Sequence, residues 1–207
     1  MTFAADGTEL GGSLTLVPDA TGVVVFAHGS GSSRFSPRNR KVAAALEETG
    51  LTTLLIDLLS VDEERVDRET AQLRFDIPLL GRRLVAATDW LADQPDTAAL
   101  AIGYFGASTG AAAALIAAAE RRNTAAIVSR GGRPDLAGDA LRNVRAPTLL
   151  IVGEHDPQVL ELNEAALDEL DTEKGLAIVP GATHLFEEPG AIGDVTRLAR
   201  DWFVRHL

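Results

Sequence analysis

Apolar residues recur along this chain in two alternating rhythms. Val23-Val24-Val25-Phe26-Ala27 is an unbroken apolar run, the pattern of a strand buried on both faces. Leu51–Asp57, Leu100–Phe105, Ala125–Ser129, Thr148–Val152 and Leu176–Val179 read the same way. Between them the spacing shifts to that of helices. Ser36-Pro37 opens one that runs to about Thr49 and stops at Gly50. Asp76–Leu91 places Ile77, Leu80, Leu84 and Ala87 on one face. Thr109–Arg121 is almost all Ala, Gly, Leu and Ile, so it is expected against the sheet. Leu160–Leu170 and Val195–Leu207 are two further helices. Residues 1–17 read as a β-hairpin turning at Asp6-Gly7, with alternation at Leu10, Leu14 and Leu16. Residues 58–75 carry no clear period. A solvated excursion is expected there, with a loop over the site as the sharper alternative.

Strands alternating with helices predict an α/β fold. A mostly parallel central sheet would be covered by helices on both faces and led by an antiparallel hairpin. Ligands on such sheets bind at the carboxyl ends of the strands. At 207 residues, with no repeat or linker, residues 1–207 are expected to form one domain.

Composition narrows the chemistry. The 46% hydrophobic content fits a folded chain. No apolar stretch approaches the ~20 residues of a membrane span. The opening residues lack a basic region followed by an apolar one, so a cytoplasmic location is expected. The chain has no Cys, which excludes disulfides, thiolate metal sites and a cysteine nucleophile. A formal charge of −11 disfavours nucleic acid and anionic membranes as partners.

Residues 106–110 read Gly-Ala-Ser-Thr-Gly at the junction of a predicted strand and helix. A serine on such a turn presents its hydroxyl, and a Cβ at either glycine would crowd the turn. The pentapeptide alone is only suggestive, because Ser108 could equally cap the helix after it. A serine nucleophile also needs a base, and the base an orienting group. Among four His residues only His184 lies in a loop after a strand and downstream of an acid, in Pro180-Gly181-Ala182-Thr183-His184. Asp156, in Gly153-Glu154-His155-Asp156-Pro157, is the candidate acid, with Glu154 and Asp135 as rivals. Asp156 could instead cap the helix after it. The loop His28-Gly29-Ser30-Gly31-Ser32-Ser33 could turn the Ser30 amide toward an oxyanion, with the Thr109 amide as second donor. The same loop lacks the Lys-Ser/Thr of a phosphate-binding Walker motif.

With these four pieces in this order the chain resembles the α/β-hydrolases. It is similar to their small dienelactone-hydrolase-like branch over nearly its whole length. That resemblance implies hydrolysis of an ester or related acyl bond through an acyl-enzyme, without metal or organic cofactor. Dienelactone hydrolases have a Cys nucleophile where this chain has Ser108, which favours general esterase chemistry over lactone cleavage. No segment between the sixth strand and Asp156 is long enough for a large lid.

Arginines gather after two of the strands. Arg34, Arg38 and Arg40 follow the glycine-rich loop, and Arg130 and Arg133 follow the strand ending at Ser129. Arg34 and Arg130 are candidates to hold a carboxylate or phosphate on the substrate. Ordinary surface ion pairing is the alternative. Expected partners are thus a small acyl substrate, anionic on this reading, with the protein a monomer or homodimer. Two other functions stay open: a non-catalytic binding or regulatory module, and an acyltransferase using the same triad.

Overall fold

A computed structural model describes residues 1–207. The chain opens with β1 (Thr2–Ala5) and β2 (Thr8–Thr15), an antiparallel hairpin. Its turn places Asp6 at φ 45° and Gly7 at φ 81°, the paired positive φ values that an Asp-Gly turn supplies. Leu10 is buried, but Leu16 lies past the end of β2 and is exposed, so the predicted alternation stops short of it.

The rest follows strand by strand: β3 (Gly22–Ala27), α1 (Pro37–Glu47), β4 (Thr52–Ile56), α2 (Val61–Thr70), α3 (Ile77–Ala92), β5 (Ala101–Ala107), α4 (Thr109–Glu120), β6 (Thr124–Arg130), β7 (Thr148–Gly153), α5 (Pro157–Glu169), β8 (Lys174–Val179) and α6 (Ala191–His206). One eight-stranded sheet results, in the order β1-β2-β4-β3-β5-β6-β7-β8. β3 to β8 pair in parallel, and β2 joins β4 antiparallel. No lid domain interrupts it. No helix is long and apolar enough to cross a membrane.

The pleat divides the core in two. Val23, Val25 and Ala27 face one side with Leu54, Ile56 and Tyr104. Val24 and Phe26 face the other with Phe105, Val128 and Ile151. α3 and α4 cover the first face, and α1 and α6 the second. The small residues of α4 let it pack tightly on α3, where a Cβ on Gly81 would lie 2.7 Å from Ile116 Cγ2.

Three boundaries differ from expectation. The 58–75 stretch is ordered as α2 followed by a short 3₁₀ turn, Leu73–Phe75. Its helix is charged rather than amphipathic, so no apolar stripe announces it. What nucleates it is a capping box: the Ser60 hydroxyl accepts from the Glu63 amide, and the Glu63 carboxylate accepts from the Ser60 amide. Buried Asp67 then closes its far end, accepting from the Leu73 amide at 2.7 Å and from Arg74 Nε at 2.5 Å. α5 begins at Pro157, three residues before the predicted start, because proline is favoured at a first helical position. α6 begins at Ala191, a full turn before Val195.

Candidate active site

Ser108 joins β5 to α4 with φ 51° and ψ −121°. A non-glycine residue held there is strained, and strain of this kind belongs to a sharp turn that presents its side chain. Both flanking glycines are required. A Cβ on Gly106 would lie 2.4 Å from Ala111 Cα, and one on Gly110 would lie 2.4 Å from the carbonyl oxygens of Ala27 and His28. The turn is fixed from β6 as well: the Ser108 amide donates to the Arg130 carbonyl at 3.3 Å. Ser108 makes no side-chain capping bond to α4, so the helix-cap alternative fails.

His184 and Asp156 meet across the ends of β8 and β7. Nδ1 of His184 lies 2.6 Å from Asp156 Oδ2. Asp156 stands at the N-cap position of α5, yet its carboxylate makes no cap bond and is turned to the imidazole instead. The two rival acids are engaged elsewhere. Glu154 Oε2 accepts from the Gly181 amide at 2.7 Å, pinning the turn that carries His184. Asp135 takes two bonds from Arg133, at 2.8 and 2.7 Å. Ser108 and His184 line one cavity of about 230 Å³. No hydrogen bond joins them directly, and such pairs commonly tighten only around a bound substrate.

The glycine-rich loop departs from expectation. Ser30 does approach the start of α4, but its amide donates to the Thr109 hydroxyl at 3.0 Å rather than standing free. Thr109 is buried and is the first residue of α4, where amides have no carbonyl partner within the helix. His28 holds the loop from behind. Its Nδ1 bonds the Gly29 carbonyl at 2.9 Å and its Nε2 accepts from the Leu58 amide at 3.1 Å, which fixes the proton on Nδ1. Burial pushes the His28 pKa below 6.5, against the opposing pull of the Gly29 bond and the Asp57 and Glu64 carboxylates.

The two candidate arginines separate. Arg34 is ion-paired with Asp57 and lies over the Phe35 ring, 4.2 Å from its centroid. Its amide donates to the same carboxylate at 2.8 Å, so Arg34 braces the loop. Arg130 does reach the cavity of Ser108 and His184. Arg38, one of the clustered arginines, lines that cavity too, whereas Arg34 does not. Sequence spacing could not separate them, because Arg34 lies in the loop before α1, Arg38 in its first turn and Arg130 at the end of β6.

Residues 20–199 match the model of the alpha/beta hydrolase domain family. The chain belongs to the α/β-hydrolases. It is 58% identical to a dienelactone hydrolase from Anabaena variabilis, with a TM-score of 0.98 over 100% of this chain and 96% of that one. The chain also resembles Est1E from Butyrivibrio proteoclasticus in fold, at 18% identity and a TM-score of 0.81 over 99% of this chain and 97% of that one. Over 204 residues it is 59% identical to a Mycobacterium tuberculosis protein named as a candidate phosphoribosyl transferase. That match takes in 98% of this chain but 45% of the relative, so the chain spans about half the length of the curated relatives it matches.

Proposed function

We propose that this hydrolase cleaves an ester, or a related acyl bond, of a small substrate through an acyl-enzyme on Ser108. The observation that carries the reading is the 2.6 Å contact between His184 and Asp156, beside a cavity that Ser108 also lines. The Asp156 carboxylate keeps a proton on Nδ1, which leaves Nε2 as the base. Nε2 takes the Ser108 proton as the hydroxyl oxygen bonds to the acyl carbon. The carbonyl electron pair moves onto oxygen, where the amides of Thr109 and Ser30 receive it. The imidazolium then returns its proton to the departing alcohol oxygen as the carbon–oxygen bond breaks. Water repeats the sequence and frees the acid and Ser108.

The transferase name borne by the Mycobacterium relative describes a protein more than twice as long. The match leaves more than half of that relative uncovered, and we assign the named chemistry to the part outside the match. An acyltransferase remains the second reading, since an alcohol, thiol or amine could replace water at the last step. The continuous sheet, shared by both cores, supports treating residues 1–207 as one domain.

Intact mass after treatment with a fluorophosphonate, on wild type and Ser108→Ala, tests the reading. One adduct on wild type and none on the variant is the expected result. No adduct on folded wild type would leave a non-catalytic binding module. Product analysis with added alcohol or amine separates transfer from hydrolysis.

A further inference from the structure

The Arg130 guanidinium is the least explained charge in the molecule. The residue is 7% exposed, forms no ion pair, and donates to no protein acceptor; its Nε is fully buried and unpaired. Buried charges are ordinarily paired, because desolvating an ion without a partner is costly. The Phe186 ring, 5.7 Å from the guanidinium carbon, supports the cation but supplies no hydrogen-bond acceptor. A second cation stands nearby. Arg38 is bonded to Glu187 through one terminal nitrogen at 2.9 Å, while its Nε is buried without a partner. Asn39, beside it on α1, also has a buried side-chain oxygen with no donor. All three residues line the cavity that holds Ser108 and His184. Burial together with the proximity of Arg38 lowers the Arg130 pKa to about 10, so Arg130 stays charged at neutral pH.

The position of the cavity says which half of an ester belongs in it. His184 lines it, and the imidazolium must hand its proton to the leaving oxygen. The alcohol half therefore lies on this side. A separate cavity of about 180 Å³ lies beneath α2, beyond Ser30 and Thr109, and touches neither Ser108 nor His184. Resting on the serine-hydrolase reading, we propose that the substrate is an ester whose alcohol carries a carboxylate or phosphate, held by Arg130 with Arg38 beside it. Both anions match the fork of a guanidinium.

Three acetate esters test this. Their phenols carry a carboxamide, a carboxylate or a phosphate monoester at the end of the same short linker. A fourth ester bears the carboxylate on the acyl group instead. In wild type, kcat/KM is expected to favour the anionic alcohols over the carboxamide by about tenfold or more, the scale of a charge-assisted hydrogen bond. The better of the carboxylate and phosphate arms identifies the anion. In Arg130→Met the preference is expected to fall to about threefold or less. Arg38→Gln, at a partly exposed residue, should give an intermediate loss and serves if Arg130→Met does not fold. Turnover of all esters with no preference for an anionic alcohol, a preference for the anionic acyl group, or a preference unchanged in both variants would overturn the proposal while leaving the hydrolase reading intact. No turnover of any ester and no Ser108 adduct would remove both.

Discussion

The Ser30 amide and the Thr109 hydroxyl are hydrogen-bonded at 3.0 Å, joining the glycine-rich loop to the first turn of the helix that follows Ser108. An oxyanion accepts a hydrogen bond about twice as strongly as a neutral hydroxyl does. On the proposed mechanism it displaces Thr109 Oγ1, which until then competes for the amide.

Thr109→Ala removes that competitor and leaves the Ser30 amide without its native acceptor. Stability is expected to fall by about 1 kcal/mol, the usual cost of an unmade bond. Ester kcat/KM should rise by roughly threefold, since less of the new bond is spent on displacement. Denaturant melts and steady-state kinetics read the two effects separately. A fall in kcat/KM would show that the hydroxyl holds the loop in its working shape.

Asp156→Asn separates the two roles open to that carboxylate. It makes no cap bond to α5, so unfolding free energy should change by less than about 1 kcal/mol. The proton on His184 Nδ1 loses its acceptor charge, and kcat is expected to drop by about 10³–10⁴. A large stability loss with modest loss of kcat would return Asp156 to a capping role.

His28 ties stability to pH. Its folded pKa lies below the 6.5 of a free imidazole, so the unfolded chain binds the extra proton first. The stabilisation is complete above pH 6.5 and is lost as pH falls from there through the depressed folded value. Melting temperature should therefore decline on acidification from neutral pH. In His28→Gln, whose amide can still bond Gly29 and Leu58, the decline should be shallower. Parallel curves for the two proteins would count against this.

Gly110→Ala forces a methyl group against the carbonyls of Ala27 and His28. Backbone cannot yield as a flexible side chain does, so about 2–3 kcal/mol of stability should be lost. Fluorophosphonate labelling of Ser108 should slow in folded protein, because α4 must shift. Unchanged labelling and melting would mean that the turn has slack the packing does not show.

Asp67→Ala should loosen residues 58–75 locally. The carboxylate accepts from the Leu73 and Arg74 amides and from the Arg74 side chain, closing the α2 end of the segment. Faster amide exchange confined to this segment is expected, with the central strands unaffected.

Much of this was readable in the chain itself. Unbroken apolar runs such as Val23–Ala27 identify strands buried on both faces, and the glycines around Ser108 identify a turn that tolerates no Cβ. The placing of Ser108, Asp156 and His184 after the ends of β5, β7 and β8 was legible because parallel sheets bring such ends to one edge. The α2 helix was harder to see, its only signal being Ser60 and Glu63 three positions apart in a charged stretch.

What the sequence by itself determined is the local material: strand and helix rhythm, the Ser108 turn, and an imidazole and a carboxylate each placed after a strand. Tertiary structure alone decided the partners. Asp156 turns from its helix to His184, Glu154 and Asp135 are taken by Gly181 and Arg133, and Arg34 is bound to Asp57 while Arg130 stays unpaired. The physical reason is range. Backbone preference acts over a few residues, whereas an ion pair or hydrogen bond depends on which distant groups the packed sheet brings within about 3 Å.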